Sequence, residues 1–303
     1  MERSGAYLSG EALANALGVS RAAVWKAVKT LQKEGYAVDA VTHRGYCLTE
    51  ENDILSAEIL SAKLEGTEVL YYPTIDSTNT EAKRLIASGK DGEFLVTAGE
   101  QTAGRGRQGK QFYSPALTGI YMSLVLRPNR PLGSTVSITT AAAVAVCRAV
   151  ESLTDKKPQI KWVNDVYLDG KKICGILTEA VTDFETQTVT SLVIGIGVNI
   201  HTVSFPSEVE NADCLGAPVR RADLIAAITK ELLKISSSPF SDFMEDYRRR
   251  SMILGQEIYF IENNVPTPAK AVAINEHGGL EVALADGSRK TLSSGEISIR
   301  RRN

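Results

Sequence analysis

The sequence predicts an α+β protein of several domains, because helical segments precede, interrupt and follow runs that are typical of strands. A chain of 303 residues is long enough for about two domains and permits three. Hydrophobic residues make up 43% of it and charged residues 23%, an ordinary globular composition that excludes wholesale disorder. The net charge of −2 excludes a cationic field over the whole protein, so any nucleic-acid site must be local.

Apolar runs and cysteines limit the cellular setting. The longest uninterrupted apolar runs, such as residues 141–147, are seven residues, far below the roughly 20 of a membrane-spanning helix. The start, MERSGAYLSGEAL, lacks the apolar stretch of a signal peptide, which predicts a cytoplasmic protein without membrane association. No metal-ligand spacing links the cysteines, so we expect reduced thiols and no metal site at Cys47, Cys147, Cys174 and Cys214.

The first fifty residues carry a helix-turn-helix pattern. Ser9 is a plausible N-cap of a short helix that ends at Gly18, and Ser20 can cap a second helix with apolar residues at helical spacing. The following segment, YAVDAVTHRGYCL, alternates through a turn as a two-stranded wing does. We therefore predict a winged helix-turn-helix domain over residues 1–52, with a truncated first helix, and a helical connector over residues 53–68.

One face of the second helix is cationic, and a basic wing follows it. Since recognition helices read base edges with their N-terminal residues, this arrangement predicts DNA binding. The predicted DNA contacts are Ser20, Arg21, Ala22, Trp25, Lys26, Lys29 and Arg44. A cationic face that is merely solvated is the alternative. A vestigial domain is another, because six basic against five acidic residues leave the first fifty residues a net charge of only +1.

From Val69 onward, strand-like runs alternate with helical ones. We predict helices that cover a mixed or largely antiparallel sheet, since the Asp169-Gly170 pair indicates a hairpin turn rather than a crossover. The last fifty residues contain short alternating strands with glycine pairs, which predict a small β-barrel. The predicted boundaries are 69–253 for the central domain and 254–303 for the last one.

Two segments of the central domain carry the strongest chemical signals. GEQTAGRGRQGKQFYSP, residues 99–115, interleaves glycines with Arg105 and Arg107, which suits backbone and guanidinium donors to a phosphate or carboxylate. KWVND places Lys161 on an apolar strand, where an ammonium group tends to be functional. The structural alternatives are a flexible glycine loop and a lysine that reaches solvent at a strand end.

Two further segments are less specific. In DSTN, Ser77 and Thr78 open a helix, where hydroxyls and free amides either bind a polar ligand or only cap the helix. In GIGVNI, Gly195 and Gly197 remove side chains from one face of a strand and make room for a flat or bulky group.

The order DSTN, GRGRQG, KWVND and GIGVNI resembles the family of bifunctional biotin protein ligases and biotin operon repressors over essentially the whole chain. The resemblance implies a class II synthetase-like central domain and an SH3-like C-terminal barrel. It implies that biotin's carboxylate attacks the α-phosphate of ATP with Mg²⁺ present, giving biotinoyl-5′-AMP, and that a lysine of a biotin carboxyl carrier domain then takes the acyl group. It also implies a homodimer, promoted by biotinoyl-5′-AMP, that binds operator DNA.

The resemblance also implies residue roles. The catalytic residues would be Lys161, Arg105 and Arg107. The biotin-binding residues would be Ser77, Thr78, Gln101, Gly104, Arg105, Lys161, Gly175, Gly195 and Gly197, and the nucleotide-binding residues Arg107, Phe112, Asn164 and Asn199. Phe112 stands where the family often has a tryptophan that stacks on adenine, and it offers a smaller face. The alternative is that Phe112 is an aromatic residue of the hydrophobic core and does not contact a nucleotide.

Two other functions compete with this prediction. The first is a ligase whose winged helix domain is vestigial. The second is a regulator that binds biotin without catalysis, against which the presence of both arginines and Lys161 argues. Lipoate attachment on a related fold is not supported, because the chain lacks a glycine triplet with a following His-Asp pair.

Overall fold

The computed structural model describes residues 6–33, 36–49, 53–127, 135–182, 188–239, 241–262, 265–293 and 297–299. The chain divides into two compact units, which are Met1–Ser56 with Arg220–Ala222, and Ala57–Val219 with Asp223–Asn303. Of the predicted connector, residues 53–56 belong to the first unit and residues 57–68 to the second, and only residues 57–63 of it are helical. The C-terminal strands also belong to the second unit.

The first unit contains the predicted helix-turn-helix. Its elements are α1 (Gly10–Leu17), α2 (Arg21–Lys33), and the antiparallel pair β1 (Val38–Val41) and β2 (Gly45–Leu48). The Ser9 hydroxyl accepts a hydrogen bond from the Ala12 N–H at 3.0 Å, and α1 ends at Gly18 in the left-handed region with φ 64°. The Ser20 hydroxyl accepts from the Ala23 N–H at 3.2 Å. The predicted helix starts are thus confirmed, and each depends on a local capping bond.

A small apolar cluster holds the first unit together. Ala14 of α1 packs with Val24 and Val28 of α2, and all three are buried. Ala27 lies at helical spacing from Val24, so the sequence predicts that it shares the same apolar face, but it is exposed in the structure. Residues 6–9 form no helix ahead of α1, and Leu8 instead makes a β-bridge to the wing.

The second unit is built on a seven-stranded mixed sheet. Its elements before the C-terminal strands are α3 (Ala57–Lys63), β3 (Glu68–Tyr72), α4 (Thr78–Ala87), β4 (Phe94–Ala98), β5 (Gly119–Leu126), α5 (Thr135–Leu153), β6 (Gln159–Lys161), β7 (Asp165–Leu168), β8 (Lys171–Thr182), β9 (Val189–Asn199), α6 (Arg221–Ser236) and α7 (Ser241–Arg250). The first two residues of α6 are grouped with the first unit. The strand order is β3-β4-β5-β9-β8-β7-β6, with only the β3–β4 pair parallel. This confirms a mixed, largely antiparallel sheet.

Backbone geometry explains the hairpin between β7 and β8. Asp169 and Gly170 both have positive φ, 49° and 75°, as a two-residue turn between antiparallel strands requires. The register of β8 on β9 places Gly175 opposite Gly197. Two glycines of the predicted site therefore lie side by side on the central strands.

The apolar helix α5 packs against the sheet. By length and composition alone its segment Val136–Leu153 could cross a membrane, but 67% of that segment is buried inside the structure. The core helix of a globular protein meets the same criterion. All four cysteines are free thiols, and burial raises the pKa of Cys147 on this helix to about 12.

The C-terminal strands form an antiparallel sheet. They are β10 (Glu257–Glu262), β11 (Val265–Ile274), β12 (Leu280–Ala283), β13 (Arg289–Leu292) and β14 (Ile297–Ile299), in the order β13-β12-β11-β10-β14. Among the described residues, β13 and β14 do not pair with one another. The β-rich domain is thus confirmed, while its closure as an SH3-like barrel stays a prediction.

Candidate active site

A cleft of about 680 Å³ lies within the second unit. Such a volume fits a small-molecule ligand. The cleft brings together the residues predicted for biotin and nucleotide from segments far apart in the chain, which are Ser77, Thr78, Gln101, Arg105, Arg107, Phe112, Lys161, Asn164, Gly175, Gly195, Gly197 and Asn199. Gly104 is the one predicted ligand contact that is not on its wall.

The loop of residues 99–115 folds back on itself at its glycines. The Gly106 N–H donates to the Lys110 carbonyl at 2.7 Å, and the Phe112 N–H donates to the Gly104 carbonyl at 2.9 Å. A Cβ on Gly104 would lie 2.3 Å from the Phe112 carbonyl oxygen. Gly104 is therefore needed where the two arms of the loop meet.

The three predicted catalytic cations have different partners. Arg107 Nη1 donates to Asn164 Oδ1 at 2.9 Å, whereas Arg105 Nη1 lies 3.2 Å from the carboxylate oxygen Oε1 of Glu179. Lys161 is the last residue of β6, and its Nζ lies 5.7 Å from the ring centre of Tyr167. The sequence predicted that Lys161 lies on an apolar strand, and the structure confirms this, with Lys161 at the last position of the strand.

Glu179 is a half-buried acceptor that sequence reasoning missed. Lys83 Nζ donates to its Oε1 at 2.8 Å and Asn79 Nδ2 to its Oε2 at 2.9 Å. Burial by itself would raise the pKa of the Glu179 carboxyl, but these two hydrogen bonds and the charges of Lys83 and Arg105 hold the pKa below its usual value. Glu179 is thus ionised at neutral pH and neutralises Arg105. An acidic residue within the apolar run of β8 was the available signal.

The space beside Gly195 and Gly197 is occupied by two side chains of the protein, Asn79 and Phe112. A Cβ on Gly197 would lie 2.4 Å from Phe112 Cε1, and one on Gly195 would lie 2.1 Å from Asn79 Oδ1. The Phe112 ring also meets Tyr121 edge-on, with ring centres 6.5 Å apart. The room predicted at the glycines is therefore used by Phe112 and Asn79, and Phe112 lines the cleft while it packs on the sheet.

Two asparagines hold the walls of the cleft. Asn164 Nδ2 donates to the Ile176 carbonyl at 3.0 Å, and Asn199 Nδ2 donates to the Asp213 carbonyl at 3.1 Å. The loop after β9 also contributes Phe205, which the sequence analysis did not single out. Its ring lies edge-on to Tyr113 with centres 6.3 Å apart, so this loop meets the glycine loop.

Thr78 and Gln101 form an oriented polar pair on the cleft wall. Gln101 Oε1 accepts from the Thr78 N–H at 2.8 Å and lies 3.2 Å from Thr78 Oγ1. Gln101 Nε2 donates to Ser114 Oγ at 2.8 Å, and the Ser114 hydroxyl donates to the Phe112 carbonyl. Since an amide carries two N–H donors, Gln101 keeps one for a ligand.

The predicted DNA-contacting residues share the surface of the first unit. All seven are exposed, which are Ser20, Arg21, Ala22, Trp25, Lys26, Lys29 and Arg44. Trp25 is 56% exposed, although a large aromatic ring usually finds a buried place. The Arg44 guanidinium lies 4.0 Å from the ring centre of Tyr7. The cationic face of α2 is therefore available to a partner.

Family models match three parts of the chain. Residues 71–199 match the biotin/lipoate A/B protein ligase family, residues 1–47 match an HTH domain, and residues 253–300 match the biotin protein ligase C terminal domain. The first match contains the glycine loop, Lys161 and the paired glycine strands, and the second contains the exposed cationic face.

Relatives and solved structures agree with these matches. The bifunctional ligase/repressor BirA of Bacillus spizizenii is 35% identical, over 95% of this chain and 93% of its own. The protein of the same name from Escherichia coli is 28% identical, over 98% and 94%. The biotin protein ligase of Aquifex aeolicus, solved with biotin and ATP, is 27% identical with a TM-score of 0.64, and the match covers 77% of this chain and 99% of that one. The chain thus belongs to the family of bifunctional biotin ligases and repressors.

Proposed function

We propose that this chain is an ATP-dependent biotin protein ligase that also represses transcription in response to biotin. It forms biotinoyl-5′-AMP and transfers biotin to a lysine of a biotin carboxyl carrier domain. One observation carries the ligase activity: a single cleft holds an oriented acceptor–donor pair, Thr78 and Gln101, together with the cations Arg107 and Lys161. Membership of a family of bifunctional ligase/repressors supports both activities.

The Thr78–Gln101 pair suits the ureido ring of biotin. A cyclic urea carries an N–H next to a C=O, and it needs an acceptor beside a donor. Thr78 Oγ1 supplies the acceptor and the remaining N–H of Gln101 supplies the donor. Ser77, Gly175, Gly195 and Gly197 complete this part of the proposed biotin site, and Gly104 acts through the fold of the loop.

The cations suit the activation step. A carboxylate and a triphosphate repel one another, so positive donors must offset their charges and the charge that grows in the transition state. Arg107, held by a neutral asparagine, and Lys161 are the proposed donors to the acyl and phosphate oxygens. Arg105 is the third, and it must exchange its carboxylate partner for the ligand. Phe112, Asn164 and Asn199 are the proposed nucleotide contacts.

Mg²⁺ is the metal expected with ATP. It prefers oxygen ligands and commonly reaches proteins through phosphate oxygens, waters and one or two carboxylates. The described part of the chain has no group of three or more His, Cys, Asp or Glu side chains arranged to hold a metal. We propose that the ion binds chiefly through the triphosphate, where it would neutralise phosphate charge.

Mass spectrometry of a carrier domain tests the ligase activity. After incubation with this protein, biotin and ATP, we expect the carrier domain to gain one biotinoyl group, and omission of ATP should prevent the gain. Biotin binding without any transfer would contradict the proposal. That result would instead favour the competing function, a biotin-sensing regulator without catalysis.

The repressor activity is proposed to depend on dimerisation. Biotinoyl-5′-AMP would promote a homodimer through the central domain, and two weak DNA contacts would become one bivalent contact with operator DNA. Footprinting on biotin-operon DNA, with and without biotin plus ATP, tests this, and equal protection in both states would exclude ligand-linked repression. The domain boundaries 1–52, 53–68, 69–253 and 254–303, the SH3-like barrel and a cytoplasmic location belong to the same proposal.

A further inference from the structure

A chain of hydrogen bonds runs from the Glu179 carboxylate through Asn79 and Ser123 to the Thr78 hydroxyl. Asn79 Nδ2 donates to Glu179 Oε2 at 2.9 Å and to the Leu177 carbonyl at 3.2 Å. Both oxygens are acceptors only, so the amide nitrogen of Asn79 must face them. Asn79 Oδ1 must then face Ser123, whose hydroxyl donates to it at 2.6 Å.

The positions of the hydroxyl protons follow from this orientation. Ser123 has one proton, and the close Asn79 oxygen takes it. Thr78 Oγ1 lies 2.8 Å from Ser123 Oγ and 3.2 Å from Gln101 Oε1, and it also has one proton. Whichever of these two oxygens accepts that proton, the proton points into the protein. A lone pair of Thr78 Oγ1 is what remains for a ligand.

We propose that Ser123 is a specificity-determining positioning residue, which keeps Thr78 as a hydrogen-bond acceptor toward the cleft. Ser123 is fully buried on β5, beneath the cleft wall, and Asn79 and Glu179 hold its direction. The inference rests on the proposed function, in which one ureido N–H of biotin meets Thr78. It extends the recognition of biotin to a residue behind the binding surface.

With its proton held inward, Thr78 should bind a ligand that presents an N–H to it more tightly than a ligand that presents an oxygen. A ligand with a ring oxygen in place of that N–H would set its lone pair against the lone pair of Thr78 Oγ1. Thr78 could relieve this only by turning its proton outward, which would take it away from Ser123 and Gln101 in a buried setting. Without Ser123, the inward proton keeps only the more distant Gln101 oxygen, so the outward rotation becomes easier.

The test compares Ser123→Ala with a matched control, Thr97→Val. Thr97 is also fully buried on the same sheet, and its hydroxyl donates to the Tyr121 carbonyl at 3.1 Å, away from Thr78. Calorimetry without ATP measures binding of biotin and of a carbamate analogue, in which oxygen replaces one ureido N–H. Biotin has two ureido N–H groups, so there are two carbamate analogues, and the binding of each is measured. Thermal unfolding of each variant is also recorded.

The wild-type chain should prefer biotin by about 100-fold over the carbamate analogue whose ring oxygen faces Thr78. Ser123→Ala should reduce that preference by about tenfold, whereas Thr97→Val should leave it within about twofold although its melting temperature falls. Ser123→Cys, which has a weak donor, should behave as Ser123→Ala and serves if the alanine variant does not fold.

An unchanged preference in Ser123→Ala, or an equal loss in Thr97→Val, would overturn the inference. Failure of the wild-type chain to bind biotin would instead overturn the proposed function, so the two failures are distinguishable.

Discussion

The two arginines of the glycine loop, Arg105 and Arg107, have different partners in the folded protein. Arg107 is bound to the neutral side chain of Asn164, so its full charge remains available for an anionic ligand. Arg105 lies against the Glu179 carboxylate, which offsets its charge. Two arginines that are equivalent in the glycine loop sequence are thus unequal in the folded protein, and we expect their substitution to have different effects.

Lys161→Ala should nearly abolish adenylation without unfolding the protein. Loss of a donor to the developing charge raises the barrier by about 3 kcal/mol, which is a fall in rate of more than 100-fold. Pyrophosphate release measures the rate, and circular dichroism checks the fold. Lys171→Ala, which removes an exposed lysine off the cleft wall, is the control. Wild-type turnover in Lys161→Ala would show that the assigned site is wrong.

Arg107→Gly should let the adenylate escape before transfer. The variant lacks the guanidinium that is proposed to hold the phosphate, and the loop loses its tie to Asn164. We expect free biotinoyl-5′-AMP in the medium and biotin on lysines of a bystander protein such as serum albumin, both measured by mass spectrometry. Tight retention of the adenylate, equal to that of the wild-type chain, would contradict the role given to Arg107.

At the scale of elements, pairing between strands and helices creates surfaces that no single element has. The register of β8 on β9 sets Gly175 beside Gly197, and the Phe112 ring occupies the space that these two glycines leave. In the first unit, burial of Val24 and Val28 turns the cationic face of α2 outward. One arrangement shapes the cleft proposed to bind the ligand, and the other exposes the surface proposed to bind DNA.

Removal of positive charges from α2 should lower the affinity for DNA and should make that affinity less dependent on salt concentration. Each phosphate contact contributes about 0.9 to the slope of log K against log salt. A triple alanine variant at Arg21, Lys26 and Lys29 should therefore reduce the slope by up to about 2.7, measured by fluorescence anisotropy on operator DNA. Lys230→Ala, an exposed lysine of α6, is the control. An unchanged slope would support a vestigial domain.

At the scale of the whole molecule, ion pairs around the buried Arg250 connect two helices of the second unit that are far apart in the sequence. Arg250 of α7 donates to both oxygens of Glu151 on α5 at 2.7 and 2.8 Å, and its Nε donates to Asp246 at 2.9 Å. Arg148 of α5 also donates to Asp246. Removal of one member of such a pair is costly, because it leaves the other charge buried without its partner.

Acid should destabilise the protein as these carboxylates become protonated. The hydrogen bond from Arg250 lowers the pKa of Glu151, and burial, which would raise the pKa of Asp246, is outweighed by the three arginines around it. A depressed pKa stabilises the fold above the unfolded value of about 4, and this stability is lost as pH falls through the folded pKa. Urea unfolding between pH 7 and pH 3 measures the loss.

The variant Glu151→Gln separates this cause from general acid effects. It should be less stable than the wild-type chain at pH 7 and should lose less stability between pH 5 and pH 3. A loss in that range as steep as in the wild-type chain would show that the Glu151 pair does not contribute.

Local signals in the sequence predicted many of the helices and strands and twelve of the residues that line the cleft. Caps at Ser9 and Ser20, the Asp169-Gly170 turn and apolar periodicity act over a few residues, so they could be read directly. The glycine loop and the KWVND motif likewise contain the arginines and the lysine that were predicted for the site. The order of four motifs added the family, which the described fold and the comparisons then supported.

Only the tertiary structure decided which of those residues touch. Arg105 meets Glu179 across 74 positions of sequence, and Ser123 meets Asn79 across 44. Such contacts depend on strand register and on the packing of α4, which periodicity does not encode. The physical reason is range: capping and turns are settled by neighbouring backbone groups, whereas a buried hydrogen bond takes its partner from whichever segment the fold brings near.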